Sequence, residues 1–158
     1  MSGFSREDAL FFDIAHEGAQ LRAVGQAAHL LAGLRGLAPR SVVVLATDQV
    51  AATAARAVAA FAAPLDVPVV VADQLPAYVG ALDVVVVVGD NAGREEDLRG
   101  LTTAASRGAE TILAGPNTGP LLDDAPQAAT VIPALPDTAG ASPLRTCAVV
   151  GAVLLALR

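Results

Sequence analysis

Residues 84–88 are five consecutive valines, and the groups best able to do chemistry gather just beyond them. Gly89, Asp90, Asn91, Ala92, Gly93 and Arg94 make a short polar loop, and Glu95 and Glu96 open a helix. Free backbone N–H groups and the helix dipole suit such a loop to an anion, a phosphate above all. Gly89, Ala92 and Gly93 are small enough for close ligand approach, Asn91 can cap, and Arg94 adds a positive charge. Asp90, Glu95 and Glu96 work against an anion. The competing reading is a strand–helix turn whose glycines only satisfy backbone angles.

Two further loops are candidates. Thr47, Asp48 and Gln49 follow an apolar run at 41–46; Thr47 or Asp48 can cap the next helix or bond a sugar hydroxyl, and capping is favoured. Asn117 and Thr118 lie in the rigid stretch 115–120. Other reactive side chains are isolated. His16 stands beside Glu17 ahead of the expected first helix and reads as part of a helix-terminus pair, while His29 sits among apolar residues and reads as packing. Neither histidine has a third partner at motif spacing, so no triad or metal set assembles. Asp123 and Asp124 read as a solvated helix start, and Cys147 as inert core. There is no G-x-G-x-x-G and no P-loop, which disfavours dinucleotide and nucleoside-triphosphate sites.

These loops need elements to hold them. Apolar spacing predicts a helix over 19–34, stopped by Gly36 and Pro39. Strands are expected at 41–46, 67–72, 84–88, 111–114 and, short and at an edge, 130–133. Between them fall a helix over 50–62, a connection at 75–80 holding Tyr78, a helix over 95–106 closed by Arg107 and Gly108, and a helical turn at 121–125. A last helix covers 142–157, with Ser142 as N-cap and Pro143 at its first position. Five β-branched strands alternating with helices predict a doubly wound parallel sheet. Right-handed crossovers then put the strand carboxyl ends, with all three candidate loops, on one rim.

Composition excludes several classes. The chain has 158 residues, 54% hydrophobic and 3% aromatic, and a net charge of −6; all ten basic residues are arginine. Scattered acid without a basic face argues against nucleic acid. One cysteine excludes an internal disulfide. The N-terminal stretch 1–18 is acidic and lacks a signal-peptide core. The apolar run 147–157 falls short of the roughly 20 residues a membrane span needs. A cytoplasmic protein of one domain, 1–158, is expected.

Strand 41–46 and the segment 75–98, LPAYVGALDVVVVVGDNAGREEDL, resemble a sugar isomerase (SIS) domain. The likeness is to the amino-terminal half of bacterial bifunctional phosphoglucose/phosphomannose isomerases, and the order of elements matches over essentially the whole chain. The resemblance implies a three-layer α/β/α sandwich on a five-stranded parallel sheet of flavodoxin-like order. It also implies a sugar phosphate bound by Thr47, Asp48, Gln49, Gly89, Asn91, Gly93, Arg94, Asn117 and Thr118. A second SIS-like domain or a homodimer is the implied partner, and no cofactor is implied. The family's glycine- and serine-rich loop after strand one is here Ala46 to Val50. Its Ser-Gly-Asn-Thr after strand three is here Asn91 to Arg94, so the acidic pair survives but the phosphate-holding hydroxyls do not. Losing such bonds, each worth about 0.5–1.5 kcal/mol net, weakens the site. The family's catalytic base and histidine lie in or near the second SIS domain, so no catalytic residue carries over. The reading is a degenerate phosphosugar-binding domain. Its alternatives are a regulatory or interaction domain that has lost the ligand and, behind that, an unrelated flavin-binding flavodoxin-like domain. The apolar helix ending near residue 157 fits a continuation or partner that covers it.

Overall fold

The β-branched runs form strands where expected, because a residue branched at Cβ fits a pleated, buried surface better than a helix. The computed structural model describes residues 5–136 and 141–158. Its strands are β1 (Ser41–Ala46), β2 (Val69–Ala72), β3 (Asp83–Val88), β4 (Glu110–Ala114) and β5 (Thr130–Val131), all parallel in the order β2-β1-β3-β4-β5. This is the flavodoxin-like order, with its switch point between β1 and β3. Both switch strands are buried along their whole length.

Alternation along the strands splits the core in two. Val42, Val44, Val84, Val86 and Val88 face α1 (Arg6–Ala27), α2 (Gln49–Phe61) and α5 (Pro143–Ala156). Val43, Leu45, Val85, Val87 and Leu113 face α3 (Glu95–Ser106) and α4 (Pro120–Asp123). Each buried valine contributes roughly 1.5–3 kcal/mol. Gly100 lets α3 lie close on the sheet: a Cβ there would stand 3.0 Å from Leu45 Cδ1.

The lower ends of β1 and β3 are fastened by a buried carboxylate. Asp83 accepts from Arg40, from Ser41 Oγ at 2.8 Å and from the Gly80 N–H at 2.9 Å. Arg40 also donates to Tyr78 O at 2.8 Å and lies over the Tyr78 ring, 5.4 Å from its centroid.

Several boundaries differ from the sequence reading. The first helix begins at Arg6, not near 19, and its last part, Ala28–Leu34, tightens to a 3₁₀-helix. Ser5 starts it through a capping box: its Oγ accepts from the Asp8 N–H while its own N–H donates to Asp8. Residues 6–15 are exposed all round, so they show no buried face for a periodicity argument to find. Strand β2 begins after Pro68, β5 is two residues long, and α4 stops at Asp123. Asp123 and Asp124 therefore end a helical turn rather than start one. Residues 1–4 of the expected signal-free N-terminus lie outside the described residues.

Candidate functional site

Three loops leave the carboxyl ends of β1, β3 and β4 on one rim. Asp48 is the N-cap of α2: its Oδ1 accepts from the Ala51 N–H at 2.8 Å. Capping is therefore its local role, as the sequence favoured. Its second oxygen reaches across the sheet, and Oδ2 accepts from the Asp90 N–H at 2.9 Å. Thr47, almost fully buried, accepts at Oγ1 from the Asn91 N–H at 3.2 Å. Gly89 makes this closeness possible. It has φ +129, and a Cβ there would fall 2.2 Å from Thr47 Oγ1 and 2.7 Å from Asp48 Oδ2.

The consequence is chemical. The backbone donors that suit the β3 loop to an anion at Asp90 and Asn91 are spent on Asp48 and Thr47. The chain supplies its own carboxylate where a phosphate oxygen would be expected. Asn91 does not cap α3; its Oδ1 accepts from the Gly93 N–H at 3.0 Å, closing the loop on itself. The N-cap position of α3 is Arg94, without a side-chain cap.

Arg94 is also committed. It pairs with Glu96 at 3.2 Å and with the buried Asp97 at 3.6 Å, and its Nη1 lies 3.5 Å from Thr47 O. Asp97 Oδ2 is buried without a hydrogen-bond partner. Burial pushes the Asp97 carboxyl above its ordinary value; Arg94 opposes this, while Glu96, Asp48 and Asp73 add to it. Anions approaching from this side meet more acid than base.

The remaining expected residues divide. Thr47, Asp48, Gly89, Asn91 and Arg94 are brought together. Gln49 is the exposed first residue of α2, and its carbonyl accepts from Thr53 Oγ1. Gly93 is exposed in the loop. Asn117 and Thr118 lie on the β4–α4 loop, which touches the β3 loop through Gly119, where a Cβ would stand 3.0 Å from Ala92 Cβ. Asn117 lines a cavity of about 260 Å³ with Leu113, Gly115 and Ile132.

Three rim residues have roles that the sequence reading did not give them: Asp90, Ser142 and Arg145. The Ser142 N–H donates to Asp90 Oδ2 at 2.8 Å, which seats the start of α5 against the β3 loop. Ser142 holds the N-cap position as expected, but its Oγ makes no cap bond and is buried without a partner. Arg145 is 3% exposed; its guanidinium donates to Ala114 O and Ile132 O, both at 3.0 Å, so it ties the ends of β4 and β5 to α5. Its Nε has no acceptor, and burial lowers its pKa against the opposing charge of Asp90. The signal was present as the only charge within an apolar helix, 143–157.

The histidines stand differently from their expected places. His16 is inside α1, its ring 3.3 Å from Gln20 Nε2, and Glu17 instead accepts from the Leu144 N–H at 3.1 Å. Adjacent helical residues do not face each other, so the two form no pair. His29 is exposed rather than packed, with Nδ1 2.9 Å from Gln26 O. Cys147 is half-buried on the outer side of α5 rather than in the core, its Sγ 3.8 Å from Ala54 O, and burial pushes its thiol up. Among the described residues no cluster of three metal-ligating side chains occurs, and no helix is long and apolar enough to cross a membrane.

This architecture is shared with solved structures. The chain superposes on the sugar isomerase domain of the RpiR transcription factor from Sphaerobacter thermophilus with a TM-score of 0.63 and 18% identity, covering 94% of this chain and 86% of that one. It superposes on a protein described as a phosphosugar isomerase from Salmonella typhimurium LT2 with a TM-score of 0.60 and 13% identity, covering 99% of this chain and 45% of that one. The chain thus spans less than half the length of the second protein. No protein-family model matches the chain, and no curated protein matches its sequence. The fold is that of SIS domains: an α/β sandwich on a five-stranded parallel sheet.

Proposed function

We propose that this chain is a sugar-phosphate-binding domain of the SIS type, of the kind found in phosphoglucose/phosphomannose isomerases, and that it does not catalyse isomerisation by itself. One observation carries the reading: in a fold shared with sugar isomerase domains, the β1, β3 and β4 loops converge at the rim beside the switch point. Isomerisation moves a proton by general acid–base catalysis. The histidines bond within α1 and the 3₁₀ segment that follows it, His16 to Gln20 and His29 to Gln26 O, and the rim carboxylates Asp48, Asp90 and Asp97 are all engaged in hydrogen bonds or ion pairs. Asp48, Asn91 and Asn117 offer oxygens to sugar hydroxyls. A phosphate at the β3 loop has to take the Asp90 N–H from Asp48. A cytoplasmic setting belongs to the same proposal.

Thermal melting with glucose, fructose or mannose 6-phosphate tests it. A ligand at 100 times its Kd adds about 2.7 kcal/mol of stability. Unchanged melting with all three at millimolar concentration overturns the proposal. That result would favour a second reading, a regulatory or interaction domain that has lost the ligand, for which the Asp48 carboxylate already seated on the Asp90 N–H is the specific support.

A further inference from the structure

We propose that the cavity past the ends of β4 and β5 is a nucleobase slot, shaped for an uncharged purine of the adenine type. The rim loops differ in what they have left to offer. In the β3 loop the amides of Asp90 and Asn91 are taken by Asp48 and Thr47. In the β4 loop Asn117 is unspent: among the described residues it makes no hydrogen bond, by side chain or by backbone.

The way the sheet stops builds the cavity. The β4–β5 ladder ends at the pair Leu113 and Val131, with one further bond from the Ile132 N–H to Leu113 O. Beyond it the carbonyls of Ala114 and Ile132 both accept from Arg145. A guanidinium thus stands where the next rungs would form, and Pro116 and Pro133 have no N–H to make them. The ends of the strands leave a cavity of about 260 Å³ on the α4 side, floored by Leu113, Leu122 and Val131. Arg145, held by two carbonyls, keeps this opening preformed.

Size and chemistry select the occupant. A cavity of about 150 Å³ lined by apolar side chains takes benzene, so this one has room for two fused rings. Pro116 and Pro133 give it rigid apolar walls for a flat ring. Its lining carries no charge, and α4 beside it ends in Asp123 and Asp124, which disfavours an anion. Asn117 supplies the only polar side chain, an amide with a donor and an acceptor side by side. Adenine presents the matching edge, its N6 amino group next to the N7 acceptor. An acyl amide holds its N–H and C=O on opposite sides and meets only half of Asn117. The slot goes beyond the sugar-phosphate reading and does not depend on it, because a base here uses Asn117 and leaves the Asp90 N–H with Asp48.

Adenosine has no phosphate, so it tests the slot apart from the β3 loop. Titration calorimetry on the full chain is expected to show saturable binding. Asn117→Leu, close in size but without the amide, should weaken it about tenfold or more. Ala134→Trp, which fills the cavity from its half-buried wall, should abolish it. Inosine, with a carbonyl in place of the 6-amino group, should bind the wild type about tenfold less tightly than adenosine. Circular dichroism checks the fold of each variant, and Asn117→Ala or Ala134→Phe replaces one that fails to fold. Absence of heat with adenosine at millimolar concentration overturns the proposal. So does binding that survives both substitutions, equal binding of inosine, or displacement of adenosine by N-acetylglucosamine.

Discussion

Strands β1 and β3 are tied together at both ends by a carboxylate, and the two ties differ in what answers the charge. At the lower end Asp83 has its own guanidinium, Arg40, as well as Ser41 and the Gly80 N–H. Burial resists its ionisation, but the bonds from Arg40, Gly80 and Ser41 outweigh that and hold its pKa below the ordinary value. At the upper end Asp48 is held by backbone amides, those of Ala51 and Asp90. A carboxylate closed by a counter-ion is a fastening. A carboxylate closed by amides fills a place that another anion can contest. The difference teaches which end of the sheet is structural and which is still chemically available.

The comparison breaks or sharpens under substitution. The largest effect is expected from Asp83→Ala, which strips Arg40, Ser41 and Gly80 of a shared acceptor; about 3 kcal/mol of unfolding free energy should be lost in urea titration. Gly89→Ala comes next at roughly 2–3 kcal/mol, because its φ of +129 is strained for alanine and its Cβ would overlap Thr47 Oγ1. Asp48→Ala should cost about 1–2 kcal/mol, the loss of a cap and one cross-sheet bond. If Asp48→Ala proves more damaging than Asp83→Ala, the assignment of the two ends is reversed.

Acid titration gives a smaller and sign-specific effect. The pKa of Asp83 is lowered by folding, so its stabilisation is present above the ordinary value of 3.8 and is lost as pH falls through the lower folded value. Asp97 behaves oppositely: its pKa is raised, so its contribution is favourable in acid and declines as pH rises above 3.8 through the folded value. Asp97→Asn should therefore raise stability at neutral pH, on the order of 1 kcal/mol, and the gain should vanish in acid. A loss of stability at neutral pH would show that the Arg94 pairing outweighs the burial cost.

The sheet was legible because each strand is a β-branched run bounded by turn residues, and the cap at Asp48 because its spacing from the helix is local. What could not be read was everything fixed by distance. The Asp90 N–H reaches Asp48 from 42 residues away, and that contact decides whether the β3 loop has donors to spare. Nothing local marks Asp83 for its role, since Arg40 comes to it from 43 residues earlier. The first part of α1 escaped for another reason. Apolar periodicity reports a face buried within the chain, and residues 6–15 bury none.

The central claim, a sugar phosphate at the β1/β3/β4 rim, is tested most directly by titration calorimetry of hexose 6-phosphates against wild type and Asp48→Ala. The account predicts saturable binding to the wild type. It predicts tighter binding, by about tenfold or 1.4 kcal/mol, once the Asp90 N–H is freed and a negative charge removed. Absence of heat in both proteins, with the fold intact, would contradict it.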